Sequence, residues 1–169
     1  MNEPWNNEVK LDFTVVSVPS LYIPTSGIKI FLAGSIDQPV KNNWRELAIA
    51  HIQTSWFGTP TNRSSITVYS PRRSDDVWTT DMENEQAAWD TSMLSMVDYI
   101  ILHLTGTTIS PVSLLELGLF ARHPNLYLSI DDSYTRKHVV ELYYTYYGNN
   151  TIYPSWINSI TEISKNHLT

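Results

Sequence analysis

Ile28-Lys-Ile-Phe-Leu-Ala33 is an almost wholly apolar run that ends at Gly34-Ser35. Such a run is typical of a strand that is buried on both faces, and strands of this kind occupy the middle of parallel sheets. Open parallel sheets bind ligands outside the carboxyl ends of their strands. We therefore expect the backbone N–H groups of Gly34 and Ser35, together with the Ser35 hydroxyl, to lie at the edge of the sheet where ligands bind.

The rest of the chain alternates between short apolar runs and segments in which apolar residues recur every three or four positions. This alternation predicts an α/β sandwich, with helices on both faces of a parallel sheet of about four or five strands. The further strands are predicted at Ile66–Ser70, Tyr99–Leu104 and Leu126–Ile130, and the helices at Trp44–Gln53, Asn84–Val97, Ser110–Arg122, Arg136–Tyr147 and Pro154–Ser164. Residues 28–169 then form a single domain, and residues 1–27 form either an irregular arm or an edge strand.

Composition narrows the possible functions. The chain has 169 residues, of which 42% are hydrophobic, and this is enough for one compact domain with a buried core. Its net charge of −6 disfavours a nucleic-acid polymer as a partner, because that requires a basic face. No apolar run is long enough to span a membrane, and the amino terminus lacks the features of a signal peptide. A soluble, cytoplasmic protein is therefore expected.

The sequence also lacks the residues that several kinds of cofactor site require. There is no cysteine, which excludes thiolate metal sites, iron–sulfur clusters and a cysteine nucleophile. The five histidines have no spacing typical of metal ligands, and neither of the common glycine-rich nucleotide-binding motifs is present. We therefore expect no metal and no other cofactor.

Glu116 is an unusual charged residue because it lies within Leu114-Leu115-Glu116-Leu117-Gly118. One interpretation places it on the surface while the leucines pack. The segment leaves little polar face, however, and a helix that is apolar nearly all round is expected to be buried. Glu116 is then expected to project into a cavity at the strand ends, as a nucleophile or a general base. Gly118 in the middle of the helix predicts a close approach by a ligand or another backbone.

Asp90 is a second candidate carboxylate, on the flank of the helix predicted at Asn84–Val97. If Asp90 and Glu116 share one pocket, with one group ionised and the other protonated, the pair is suited to cleavage of a C–N or C–O glycosidic bond. Asp98, eight residues further on, is by the same reasoning an ordinary residue at the start of a strand.

Arg72 and Arg73 directly follow the strand predicted at Ile66–Ser70. They are either solvated and paired with Asp75 and Asp76, or placed at the binding edge, where arginine suits bidentate binding of a phosphate or carboxylate. Ser110-Pro111 combines a serine N-cap with proline at the first helical position. A helix N-terminus of this kind favours a bound phosphate.

In these residues the chain resembles the nucleoside 2-deoxyribosyltransferase family, especially its nucleoside 2-deoxyribosyltransferase-like branch. The matching segments occur in order along the chain and are Ile30-Phe-Leu-Ala-Gly-Ser-Ile36, Ser70-Pro-Arg-Arg73, Glu85-Gln-Ala-Ala-Trp-Asp90, Val97-Asp-Tyr-Ile100 and Thr108-Ile-Ser-Pro-Val-Ser-Leu-Leu-Glu-Leu-Gly118. The resemblance implies a flavodoxin-like three-layer sandwich. It also implies an enzyme that cleaves the N-glycosidic bond of a (deoxy)nucleoside or nucleoside 5′-monophosphate and transfers the sugar to another base or to water.

The resemblance implies roles for particular residues. Glu116 matches the nucleophile that attacks C1′ to form a glycosyl-enzyme intermediate, and Asp90 matches the acid that protonates the leaving base. The residues expected to bind substrate are Gly34, Ser35, Arg72, Arg73, Trp89, Asp98, Ser110 and Ser113. The nucleoside transferases have an aspartate where this chain has Ser110, whereas related deoxynucleotide N-glycosidases have a serine that holds the 5′-phosphate. This difference favours a nucleoside 5′-monophosphate as substrate.

Two other functions remain open, namely a nucleotide-binding or sensing module without turnover, and an NAD glycohydrolase. His138-Val139 departs from the branch, which typically has Asn-Val there, and this puts the handling of the acceptor or the sugar in doubt. The family also implies a homodimer or a larger homo-oligomer. The aromatic run Tyr143–Tyr147 is compatible with such an interface.

Overall fold

The computed structural model describes residues 11–36, 43–59, 64–73, 78–148 and 151–168. Within them it confirms an α/β fold with a central, all-parallel sheet and five helices, consistent with a flavodoxin-like sandwich. The elements in chain order are β1 (Phe13–Ser17), β2 (Ile28–Gly34), α1 (Trp44–Ser55), β3 (Ile66–Ser70), α2 (Thr80–Met96), β4 (Tyr99–Leu104), α3 (Pro111–Phe120), β5 (Leu126–Ile130), α4 (Lys137–Tyr147), β6 (Ile152–Tyr153) and α5 (Trp156–Leu168).

The order of the strands places the ligand crevice. Across the sheet it is β1-β3-β2-β4-β5-β6, and every neighbouring pair is parallel. Apart from β1, the strands follow the order second, first, third, fourth and fifth, which is the flavodoxin-like order. β2 and β4 lie side by side, with Gly34 opposite His103. The crevice of such a fold opens at the carboxyl ends of these two strands.

In the described part of the chain the sheet has six strands, where the sequence predicts four or five. β1 pairs along its whole length with the outer side of β3, from Phe13 opposite Ile66 to Ser17 opposite Ser70. β6 is only two residues long and pairs with β5 at the other edge. A strand of two residues has no alternating pattern that a sequence could reveal.

Side chains alternate between the two faces of β2. Ile30 and Leu32 belong to the core formed with α1 and α5, whereas Phe31 and Ala33 belong to the core formed with α2, α3 and α4. The continuous apolar run is therefore explained by burial on both faces. None of the described helices is both long and apolar enough to cross a membrane.

α2 begins at Thr80, one turn earlier than the sequence predicts. The Thr79 side chain accepts a hydrogen bond from the N–H of Met82 and so caps the helix. Asp81 and Glu83 in the first turn add favourable interactions with the helix dipole. The polar residues that resemble a loop in sequence are thus the start of a helix.

The expectation that α3 is buried all round is wrong. Leu115 and Leu119 are 68% and 76% exposed, whereas Leu117 is buried. At Gly118 no other part of the described chain makes the expected close approach, since a Cβ there would meet no atom within 4 Å, and approach by a ligand stays a prediction. α3 therefore has one face against the sheet and one apolar face towards solvent.

Candidate active site

A cavity of about 350 Å³ opens beyond the carboxyl ends of β2 and β3, between α2 and α3. One stripe of α2 lines it through Glu83, Gln86, Ala87 and Asp90. This spacing of three and four residues brings side chains onto one face of a helix. Val112, Ser113 and Glu116 line it from α3, and Gly34, Ile36, Arg45, Pro71 and Trp78 complete the wall.

The structure brings Asp90 and Glu116 to this one cavity from two different helices. Burial raises the pKa of Asp90 to about 6, against the opposing effects of a hydrogen bond from Gln86 and the positive charges of Arg45 and Arg73. Burial and the neighbouring Asp90 raise the pKa of Glu116 to about 7, which Arg45 opposes. Coupled carboxyls of this kind share one proton between these two pH values, and the higher pKa of Glu116 places it there more often than on Asp90.

Arg45 is a residue of this site that the sequence analysis did not identify. Its side chain is buried, and its guanidinium donates hydrogen bonds to the carbonyls of Leu32 at 2.9 Å, Gly34 at 2.6 Å and Ser35 at 2.6 Å. The group also lies 4.9 Å from the centre of the Trp44 ring. A positive charge is thereby fixed beside the two carboxyls.

Only glycine fits the backbone conformation and the space at position 34. Its φ is +124°, and a Cβ would lie 2.0 Å from the carbonyl oxygen of His103. This close approach of β2 to β4 allows the carbonyls of Gly34 and Ser35 to reach Arg45. Gly34 lines the cavity, as expected from its place at the strand end.

Ser35 and Ser110 connect the ends of β2 and β4 to α3. Their hydroxyls are buried and 2.6 Å apart, and the Ser110 hydroxyl is also 2.6 Å from that of Thr108. The Ser35 hydroxyl accepts from the N–H of Thr105 at 2.9 Å, and the Ser35 N–H donates to the His103 carbonyl at 2.9 Å. The N–H of Ser35 that was expected to serve a ligand is therefore bonded within the protein.

Ser110 precedes α3 at the predicted N-cap position but makes no capping hydrogen bond with its side chain. Its backbone is left-handed, with φ 49° and ψ 55°. This conformation is unfavourable for a serine; the Ser110 N–H donates to the Thr108 hydroxyl at 3.0 Å, and the Ser110 hydroxyl shares a hydrogen bond with that of Ser35. Ser110 therefore lies at the N-cap position without capping α3 through its hydroxyl, and its expected contact with a phosphate stays a prediction.

Arg72 and Arg73 do not line the cavity; both bind carboxylates of the protein. Arg72 donates to Glu46 of α1 at 3.1 Å, and Arg73 pairs with Glu85 of α2. Arg73 also donates through Nε to the side-chain oxygen of Gln86 at 3.2 Å. The partners considered from sequence, Asp75 and Asp76, lie outside the described residues. The two arginines connect the segment after β3 to the two flanking helices.

Residues 27–134 match the family described as nucleoside 2-deoxyribosyltransferase like. This is more than half of the chain. The chain belongs to this family. No curated protein sequence matches it.

The family match includes every residue that lines the cavity, from Gly34 to Glu116. It leaves out β1, α4, β6 and α5. The fold and family inferred from the sequence motifs are thus confirmed, and the cavity lies wholly in the part of the chain that carries the likeness.

Besides Arg72 and Arg73, two more of the expected substrate-binding residues lie away from the cavity. Trp89 is buried in the core, where its indole N–H donates to the Ser20 carbonyl at 2.7 Å. Asp98 lies just before β4, at the opposite edge of the sheet, and accepts from the backbone N–H of Lys29 at 2.8 Å and its Nζ at 3.1 Å. Both residues have structural contacts, whereas Ser113, also buried, lines the cavity one turn before Glu116.

A Ser-His-Asp set near the same edge is structural. His103 Nδ1 is 2.8 Å from the Ser129 hydroxyl, and its Nε2 is 3.6 Å from a carboxylate oxygen of Asp131. Ser129 is completely buried, so a substrate cannot reach its hydroxyl. Across the described residues, no three histidines or carboxylates are grouped as metal ligands.

Proposed function

We propose that this protein cleaves the N-glycosidic bond of a nucleoside, with Glu116 as the nucleophile and Asp90 as the general acid. The observation that supports this most strongly is the pair of carboxyls with raised pKa values, presented by α2 and α3 to one cavity at the ligand-binding edge of the sheet. Membership of the nucleoside 2-deoxyribosyltransferase-like family makes a nucleoside-type substrate the natural choice.

The proposed reaction has two steps. The reactive form has Glu116 ionised and the proton of the pair on Asp90, which is the less populated arrangement because the pKa of Glu116 is the higher of the two. In this form the Glu116 carboxylate attacks C1′, the bond from C1′ to the base nitrogen breaks with its electron pair going to the base, and the base takes the Asp90 proton. The resulting glycosyl ester is then attacked by a nitrogen of a second base or by water. Asp90 removes the proton of the attacking group, and Glu116 is released as a carboxylate.

The electrostatics of the cavity favour a neutral nucleoside over a nucleoside 5′-monophosphate. Among the described residues that line it are three acids, Glu83, Asp90 and Glu116, and one cation, Arg45. Arg45 already donates to three carbonyls, and Arg72 and Arg73 are bound to Glu46 and Glu85. Among the described residues, a phosphate dianion would meet carboxylates and no cation outside these interactions. The proposal therefore favours a neutral nucleoside over the monophosphate that Ser110 suggests from sequence.

Release of free base tests the proposal. The protein is incubated with the common ribo- and deoxyribonucleosides, their 5′-monophosphates and NAD, with and without a second base, and the products are separated by HPLC. We expect release from nucleosides in preference to monophosphates, its loss in Glu116→Gln, and its retention in the matched surface variant Glu162→Gln. Release that requires a second base would identify a transferase, and release into water a hydrolase.

Other outcomes would contradict the proposal. Release of nicotinamide from NAD alone would identify an NAD glycohydrolase. Tight binding of a nucleotide with no release from any substrate would identify a binding module. Undiminished release by folded Glu116→Gln would exclude Glu116 as the nucleophile.

We also infer that the protein forms a homo-oligomer through α3 and α4. Leu115 and Leu119 of α3, and Tyr143 and Tyr146 of α4, are all more than half exposed. Between the two helices lies an apolar groove of about 290 Å³. Contiguous exposed apolar surface of this kind is typical of protein interfaces. Light scattering coupled to size-exclusion chromatography, run over a range of protein concentrations, tests this inference; a monomer throughout would refute it.

A further inference from the structure

Gln86 is held in one orientation by three hydrogen bonds. Its side-chain nitrogen donates to Oδ1 of Asp90 at 2.8 Å and to the Pro71 carbonyl at 3.0 Å. Its side-chain oxygen accepts from Nε of Arg73 at 3.2 Å. An arginine Nε can only donate, so the oxygen of the amide must face Arg73. The N–H₂ group must then face Asp90.

This orientation distinguishes the two oxygens of the Asp90 carboxyl. Oδ1 accepts a hydrogen bond from the Gln86 N–H and therefore does not carry the proton of the neutral acid. The proton is then bound to Oδ2. A donor at Oδ1 also stabilises the carboxylate that forms once the proton has left. Gln86 thus strengthens the acid at the moment when it protonates the base.

Arg73 fixes Gln86 from the other side. Its side chain is almost completely buried, and its ion pair with Glu85 holds the guanidinium against α2. Glu85 and Gln86 are adjacent, so one arginine binds both side chains. The segment after β3 is thereby connected to the acid through Gln86. This contact gives Arg73 a role at the site that does not require it to touch substrate.

We propose that Gln86, held by Arg73, is a positioning residue that selects Oδ2 of Asp90 as the proton-bearing oxygen and stabilises the carboxylate left after proton transfer. This inference rests on the proposed function, in which Asp90 is the acid. The charged groups that act on Asp90 are Arg45 of α1, Arg73 after β3 and Glu116 of α3. The hydrogen bond from Gln86 acts on it from its own helix.

A titration that needs no turnover tests the hydrogen-bond part of this proposal. The carboxyl ¹³C shift of Asp90, assigned with Asp90→Asn, is followed against pH by NMR in the wild type, Gln86→Met, Gln86→Glu and the matched surface variant Gln53→Met. We expect the pKa of Asp90 to rise in Gln86→Met and further in Gln86→Glu, where a negative charge replaces the donor. Gln53→Met should leave it unchanged. An unchanged or lowered pKa of Asp90 in folded Gln86→Met overturns the proposal.

Kinetics with two leaving groups test the catalytic part. A neutral base must be protonated as it leaves, whereas the pyridinium of nicotinamide riboside leaves as a neutral molecule without a proton. With neutral-base nucleosides we expect kcat of Gln86→Met to fall by about 10- to 100-fold, part of the value of general acid catalysis, with KM little changed. With nicotinamide riboside, kcat should stay within about threefold. Equal losses with both substrates would show a merely structural role and overturn the proposal.

The two experiments separate the possible failures. If the pKa of Asp90 moves as expected but the wild type releases no base, the proposed function fails and the control of Asp90 by Gln86 stands. If base is released and the pKa does not move, the inference about Gln86 fails and the function stands.

Discussion

The inner side of α3 carries Ser113 and Glu116 into the protein, whereas its outer side presents Leu115 and Leu119 to solvent. An ordinary surface helix has the opposite distribution, with apolar residues inside and polar residues outside. The inner side keeps the buried Leu117 but adds two polar side chains, and the outer side is apolar, so each side departs in part from the arrangement that would stabilise an isolated domain. We take the buried polar side as the chemical site and the exposed apolar side as the contact for another molecule.

Glu116→Leu gives the inner side the apolar character of an ordinary core. We expect base release to fall by more than about 1000-fold, because the covalent step has no nucleophile. The folded state should be no less stable at pH 8, since a buried carboxyl that is costly to ionise has been removed. Product analysis by HPLC and urea denaturation measure the two effects. A variant that loses activity only because it unfolds would contradict this prediction.

Glu116, on the inner side of α3, makes the stability of the folded protein depend on pH. The pKa of Glu116 is 4.5 in its ordinary state and about 7 in the folded protein, so between these values the native state binds a proton that the unfolded chain has lost. The contribution of Glu116 to stability is therefore fully present below about pH 4.5 and is lost as the pH rises towards 7, by on the order of 3 kcal/mol. Urea denaturation of wild type and Glu116→Leu at several pH values isolates this contribution as their difference. A difference that is independent of pH would contradict it.

The residues on the inner side of α3 could largely be predicted from the sequence, whereas the exposure of its outer side could not. Glu116 among leucines and Asp90 on a helix flank are local patterns, and the structure brings both to one cavity. Arg45 could not be found in this way, because a charged residue in the first turn of a helix is usually solvated. What makes it different is that the carbonyls of Gly34 and Ser35 turn towards it.

Contacts between residues far apart in the chain explain the other differences between the sequence-based predictions and the structure. The partner of Arg72 is Glu46, on a helix that precedes β3, and no local rule joins these two residues. The apolar residues of α3 give the same sequence pattern whether the chain itself or another copy covers them. Leu117 is covered by the chain itself, and Leu115 is not. The pattern of apolar residues in one chain therefore does not distinguish a face that the chain itself covers from a face left exposed.

Leu119→Glu places a charge on the exposed apolar side of α3, whereas Glu116→Leu removes one from the inner side. It tests whether the outer side contacts another copy of the chain. Leu119 is 76% exposed, so a charge there should change the stability of the monomer by no more than about 0.5 kcal/mol. In an oligomer formed through α3 the charge would be buried, and we expect dissociation at concentrations where the wild type is assembled. Light scattering measures the mass, with Glu162→Gln as a surface control. Unchanged assembly would place the interface elsewhere.

Gly118→Ala has the smallest expected effect. It distinguishes a glycine that only weakens α3 from one that makes room for a second copy of the chain. Among the described residues an added Cβ meets no atom within 4 Å, and alanine in place of glycine should stabilise α3 by up to about 1 kcal/mol. If a second copy approaches the groove between α3 and α4 at this residue, the same methyl group would obstruct it, so the monomer would become more stable while the oligomer became weaker. Thermal unfolding at low protein concentration measures the stability of the monomer, and light scattering at high concentration measures the strength of the oligomer. Stabilisation of both would show that Gly118 lies outside the interface, and opposite signs would show that the glycine serves the contact rather than the helix.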